Sequence, residues 1–216
     1  MAKLEALLFD VDGTLADTER DGHRVAFNKA FAEADLGWDW TVELYDDLLS
    51  VTGGKERIRF YLEKYRPDFL TPDGVNHFAA RLHKRKTHYY LEMLQQGEIP
   101  LRNGVERLLQ EARAAGLRLG IATTTTPENV TYLLSSTLGD NSINWFEVIA
   151  AGDIVSEKKP APDIFQYAME KMELRAESCM AVEDSRNGIL SSTAAKLKTV
   201  VTVNDYTRHH DFSTAV

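Results

Sequence analysis

The chain opens on a short apolar run, residues 4–9, broken only by Glu5, which reads as a strand buried on both faces. From about residue 20 to 95 the period changes. Phe27, Ala30, Phe31 and Ala34 stand at i, i+3, i+4 and i+7; Ile58, Tyr61, Leu62 and Tyr65 repeat the spacing, as do Val75, Phe78, Ala79 and Leu82. Each set makes one apolar stripe on a helix, and no strand pattern interrupts them. Trp38 and Trp40 fall in this block and are expected to pack inside it. From Pro100 onward short apolar runs alternate with helical periods: helix near 103–115, strand 117–123, helix 127–138, strand 146–150, helix 163–172, strand 179–183, helix 185–195 and strand 199–203.

Such repetition predicts the α/β class, an open parallel sheet with helices on both faces and ligands beyond the carboxyl ends of its strands. The helical block enters directly after the first strand. The expected organisation is therefore an α/β core, residues 1–16 and 97–216, carrying an inserted helical domain, 17–96, that can lie over the site as a cap. The connections fall near 16–19 and 95–99, and Gly97 and Pro100 give the second a hinge composition.

With 216 residues, 44% of them hydrophobic, the chain can bury its own core without staples. Its 25 Lys and Arg against 33 Asp and Glu leave a net charge of −8, which speaks against broad binding to nucleic acid or to an anionic membrane. An anionic substrate then needs cations placed locally. The run 83–86, His-Lys-Arg-Lys, reads accordingly as a solvated helix face. A single cysteine, Cys179, excludes an intramolecular disulfide and a cysteine zinc site and fits a reducing compartment. No apolar run approaches membrane-spanning length and the first strand begins close to Met1, so a cytoplasmic monomer is expected.

Candidate chemistry gathers where strands end. The first strand runs into Asp10-Val11-Asp12-Gly13-Thr14. Carboxylates at i and i+2 of a strand share a side, and two like charges so close call for a cation such as Mg²⁺ or a shared proton. One Asp can then be a nucleophile and the other a proton carrier, while Gly13 lets the backbone approach a phosphate. A calcium loop is excluded, since Asp21 rather than Glu stands at the twelfth position from Asp10.

The second strand ends in Thr123, with Thr124 beside it, as grips for phosphate ahead of a helix start; Thr126, before Pro127, reads as a helix cap. Lys159, fixed by Pro160, can neutralise a phosphorylated intermediate, although a solvated pair with Lys158 explains it equally. Glu183-Asp184 ends another strand, either capping the next helix or, with Asp10 and Asp12, completing an oxygen cage for Mg²⁺. In the helical block, Gly53-Gly54 with Lys55 and Arg57 suits a second phosphate or is a plain turn. Glu19 and His23 can meet sugar hydroxyls or simply start a helix.

These residues, in this order, resemble the four motifs of the haloacid dehalogenase superfamily: Asp10-Val11-Asp12-Gly13-Thr14, Thr123, Lys159-Pro160 and Glu183-Asp184. The resemblance spans the chain. It implies a Rossmann-like core with sheet order 5-4-1-2-3 and a C1-type cap. It also implies that Asp10 attacks phosphorus, Asp12 acts as acid and then base, and Thr123 and Lys159 hold the phosphoryl oxygens. Mg²⁺ would be bound by Asp10, the Asp12 backbone carbonyl and Asp184, with Glu183 behind them or as an alternate ligand. The stretches 17–27, 52–58 and 181–188 are similar to the CbbY group, which implies a metabolite-repair phosphatase acting on xylulose 1,5-bisphosphate, an inhibitor of Rubisco. His23 stands one residue further from Asp10 than the hinge histidine of β-phosphoglucomutases, which weighs toward phosphatase over mutase. A mutase or phosphoglycolate-type enzyme of the same fold, and a catalytically silent phosphosugar-binding relative, are the alternatives.

Overall fold

A computed structural model describes residues 3–51 and 53–216. Thr52, in the glycine loop singled out above, lies outside the described residues. In chain order the elements are β1 (Ala6–Phe9), a π-helical turn (Thr18–His23), α1 (Arg24–Glu33), α2 (Val42–Leu48), α3 (Gly54–Tyr65) and α4 (Val75–Gln95). There follow α5 (Val105–Ala114), β2 (Arg118–Ala122), α6 (Pro127–Leu138), β3 (Phe146–Ala150), α7 (Asp163–Lys171), β4 (Cys179–Glu183), α8 (Arg186–Ala194) and β5 (Lys198–Val201). The chain divides into two compact units. One holds the residues up to Thr18 together with Gly97–Val216; the other is Glu19–Gln96.

In the first unit the five strands lie in the order β5-β4-β1-β2-β3, all parallel, as the sequence leads one to expect. β1 is central and wholly buried, which is why its four residues are all apolar. Phe9 pairs with Ile121 of β2 and with Val182 of β4, so the three inner strands stop at the same level. Each loop beyond them therefore opens on one edge of the sheet. Two helices that start there carry their own caps: the Thr126 hydroxyl accepts from Asn129 N ahead of Pro127 in α6, and the Ser185 hydroxyl accepts from Gly188 N in α8.

The other unit is all-helical. Its centre is aromatic: Trp40 is fully buried, with ring centroids of Phe27 at 4.5 Å, Phe31 at 4.8 Å and Tyr61 at 5.3 Å. Trp38 meets Tyr61 edge-on at 5.2 Å. The π-helical turn ahead of α1 leaves no mark in the hydrophobic period, because its six residues, Thr18 to His23, carry no apolar side chain.

Gly120, in the middle of β2, shows how tightly the sheet and its helices meet. A methyl group there would stand 2.8 Å from Leu8 Cδ2, 3.0 Å from Val148 Cγ1 and 3.1 Å from Met172 Sδ. Gly120→Ala is expected to lower the unfolding free energy by about 1–3 kcal/mol through overpacking, read as a lower urea midpoint at unchanged slope.

Candidate active site

The site is built on the turn that follows β1. The Asp10 N–H still donates to Val182 O of β4 at 3.0 Å, but beyond it the strand alternation ends. Three N–H groups, of Thr14, Leu15 and Ala16, converge on Val11 O, and Gly13 N donates to Ala16 O at 2.7 Å. Gly13 has φ +79°, a region that penalises a side chain. A methyl group on it would also run into the Asp184 carboxylate and stand 2.8 Å from Asn204 Nδ2.

Around this turn the structure brings together Asp10, Lys159, Glu183 and Asp184. Lys159 Nζ donates to Asp10 Oδ1 at 2.6 Å and to Glu183 Oε1 at 2.5 Å, and it lies 5.0 Å from the Phe165 ring centroid. Lys158, its exposed neighbour, pairs with Asp153 at 2.7 Å. Carboxylate oxygens of Asp10, Glu183 and Asp184 all lie within 4.8 Å of one another, and all three residues are buried. Burial pushes the Glu183 carboxyl up; the Lys159 charge opposes this and the Asp10 charge adds to it. Asp184 is raised well above the ordinary carboxylate range by burial first, then by Asp10 and Glu183. For Lys159 burial acts downward, yet Asp10 and Glu183 outweigh it and hold the ammonium above its usual range.

With all three carboxylates ionised, one ammonium leaves two buried negative charges uncompensated. The donor set is oxygen only. A hard divalent cation such as Mg²⁺ fits both the charge and the ligand type.

Asp12 and Glu183 stand differently toward this cluster. Asp12 is not part of the carboxylate cluster: the chain has left the strand, so the i, i+2 alternation no longer aims the two side chains together, and Asp12 Oδ1 accepts from the Thr18 hydroxyl at 2.6 Å. Glu183, expected behind the ligands or as an alternate ligand, has a carboxylate oxygen in the same cluster. Thr123 is buried at the end of β2, its N–H donating to Ala150 O at 2.9 Å, whereas Thr124 is exposed.

Residues that sequence reasoning passed over brace the turn from distant parts of the chain. Arg102 donates to the carbonyls of Gly13, of Thr202 at 2.9 Å and of Val203 at 2.7 Å, and its Nε lies 3.3 Å from Asp17. Asn204 Nδ2 donates to Asp184 Oδ2 at 2.7 Å. The signal available was positional: Asn204 follows β5 as Asp10, Thr123 and Asp184 follow their strands.

A family model for haloacid dehalogenase-like hydrolases matches residues 4–196. The chain belongs to that family. Within these hydrolases it is 48% identical over 213 residues to protein CbbY of Rhodobacter capsulatus, covering 99% of this chain and 91% of the relative. Among solved structures it is similar to CbbY from Rhodobacter sphaeroides in complex with phosphate, at 43% identity and TM-score 0.78, covering 98% of this chain and 92% of the other. A mutant of the same protein in complex with xylulose 1,5-bisphosphate gives TM-score 0.79 at the same identity and coverage. The chain is thus a phosphatase of the haloacid dehalogenase fold, and the CbbY resemblance read from its motifs holds across nearly its whole length.

The remaining sequence candidates lie in the helical unit and form a cluster of their own. Arg57 is buried and donates to the Tyr45 hydroxyl at 2.6 Å; that hydroxyl donates to Glu19 Oε2 at 2.7 Å, with Arg57 and Glu19 3.6 Å apart. His23 Nδ1 accepts from Lys86 Nζ at 2.6 Å, and the ring lies 3.9 Å from that of Tyr90. Burial, then the charges of Lys86 and Arg57, keep the imidazole neutral and far below its ordinary pKa. Gly54 lies against the His83 ring, Gly53 has φ +96°, and Lys55 is exposed. The reading of 83–86 as a solvated face is corrected at Lys86, which is buried between the rings of Phe27 and Tyr90 at 5.1 and 5.0 Å. A lysine stem reaches inward where aromatic faces receive its ammonium, which a charge count along the helix does not register.

Lys159→Met removes the cation that bridges Asp10 and Glu183. In chelator it is expected to lower stability by about 3–5 kcal/mol, measured by urea unfolding, with a smaller loss when Mg²⁺ is added.

Proposed function

We propose that this phosphatase is a Mg²⁺-dependent enzyme acting on a sugar phosphate, with xylulose 1,5-bisphosphate the first substrate to test. The observation that carries the reading is Asp10, a buried carboxylate at the end of the central strand, held at one oxygen by Lys159 and sharing reach of a cation with Glu183 and Asp184. The sugar bisphosphate follows from the ligand bound by the similar CbbY structure.

In this reading the unpinned oxygen of Asp10 attacks phosphorus, the ester P–O bond breaks, and Asp12 gives its proton to the leaving alkoxide. Asp12 then takes a proton from the water that attacks the aspartyl phosphate, releasing phosphate and restoring Asp10. Its hydrogen bond from Thr18 supports the role by fixing the carboxyl group at one oxygen. Lys159 and Thr123 hold the phosphoryl oxygens. Asp10, Asp184, the Asp12 carbonyl and Glu183 are the groups that would hold Mg²⁺, which when bound supplies positive charge to the phosphoryl group. Recognition of the sugar and of the uncleaved phosphate is assigned to Glu19, His23, Gly53, Gly54, Lys55 and Arg57. Support comes from the cluster in the helical unit, where the cations Arg57 and Lys86 outnumber the single acid Glu19. The corresponding role is repair of a stray metabolite in the cytoplasm.

Phosphate release from xylulose 1,5-bisphosphate, ribulose bisphosphate, glucose phosphates and phosphoglycolate, each with Mg²⁺ and with chelator, tests the reading. The xylulose ester is expected to be turned over best, chelator to abolish release, and Asp10→Asn to lower the rate by about 10⁴-fold or more. An isomeric sugar phosphate formed without stoichiometric phosphate would indicate a mutase instead. Turnover by Asp10→Asn at the unmodified rate would remove Asp10 as nucleophile.

A further inference from the structure

The four motif segments account for the groups that would touch substrate or cation, but not for what aims Asp184. That residue follows β4, and its carboxylate is buried. One side-chain donor reaches it among the described residues: Asn204, with Nδ2 at 2.7 Å from Oδ2.

The orientation of the Asn204 amide is fixed by its own backbone. Oδ1 accepts from Tyr206 N at 2.9 Å and from Thr207 N at 3.1 Å. An oxygen held by two N–H donors leaves the NH₂ group facing the carboxylate, so the flip that is ambiguous for most asparagines is settled by the bonding. The segment just before Asn204 is pinned in turn by Arg102, which donates to Val203 O and Thr202 O. Nδ2 lies 3.5 Å from Gly13 O, and a methyl group on Gly13 would meet both Asn204 and Asp184. The asparagine is thus wedged between the nucleophile turn and the carboxylate it holds, with no freedom to slide.

We propose that Asn204 is a positioning residue for Asp184: by occupying Oδ2 it fixes the plane of the carboxylate and presents the other oxygen to the cation. The inference rests on the reading of Asp10, Glu183 and Asp184 as a divalent-cation site. An outer donor that orients a carboxylate ligand governs metal affinity about 10–100-fold without touching the metal.

The test is calorimetric titration of the full chain, unmodified and as Asn204→Ala and Asn204→Ser, with Mn²⁺ and with Mg²⁺ alone. Serine keeps an oxygen for the Tyr206 and Thr207 N–H groups but is too short to reach Asp184, so it separates the turn from the donor. Both variants are expected to bind either cation about 10–100-fold more weakly. Their KM for a phosphate ester at saturating metal is expected to stay unchanged, a split that a merely loosened fold does not produce. Unchanged cation affinity in either variant, or loss of the folded state in both, would show that Asn204 acts on its own loop and would overturn the proposal. An unmodified chain that binds no divalent cation would overturn the metal reading itself, and this inference with it.

Discussion

Like-charge repulsion among Asp10, Glu183 and Asp184 is the constraint on which the rest of the structure depends. In water three carboxylates at this spacing would separate or stay solvated; here burial removes both escapes and raises the affinity of Glu183 and Asp184 for protons. The fold compensates only in part. Lys159 bridges Asp10 and Glu183, and the opening turn of α8 packs so closely on Glu183 that a methyl group on Gly188 would strike its carboxylate. The Asp184 N–H donates to Glu183 Oε2 at 3.3 Å, which favours the anion. The remaining imbalance is what makes the centre receptive to a cation and, once neutralised, to a phosphate dianion.

Holding such a centre closed is a problem of geometry before it is one of chemistry. Parallel strands that end in register deliver polar residues to the same edge, so Asp10 and the Glu183-Asp184 pair need no long loops to meet. The turn between Asp10 and Ala16 is short and left-handed at Gly13. Its brace comes from residues separated from it by much of the sequence. Arg102 ties Gly13 to the segment after β5, and Asn204 ties that same segment to Asp184. A charged guanidinium sharing several carbonyls suits this task because it satisfies acceptors that leave their strands at different angles.

This division explains what could be read from the chain and what could not. The strands and most helices of the first unit were legible because the apolar runs are short, sharply bounded by Gly, Pro, Thr and Asp, and repeated. That Asp10, Glu183 and Asp184 come together was legible because they stand at the ends of two adjacent buried parallel strands. Arg102 and Asn204 were hidden for the opposite reason: their partners lie far away in sequence, and an arginine or an asparagine near a turn has many ordinary explanations. Asp12 stands beyond Phe9, the last paired residue of β1, where strand alternation no longer governs the direction of a side chain. Lys86 was misplaced because helical periodicity scores charge as outward, while Phe27 and Tyr90 make an inward ammonium favourable.

The net charge of −8 bears on function only through its distribution. A strongly acidic surface would repel a bisphosphate at long range, but screening shortens that repulsion to about a Debye length, roughly 8 Å in physiological salt. Inside that distance the local count decides. In the first unit Lys159 already stands against Asp10 and Glu183 before any cation is added, and in the helical unit Arg57 and Lys86 are buried where water screens them least. Buried charges are screened least by water, so Arg57 and Lys86 act strongly over short range even though the chain as a whole is acidic. A net negative charge is therefore compatible with an anionic substrate, because close groups rather than the distant surface set the field where it binds.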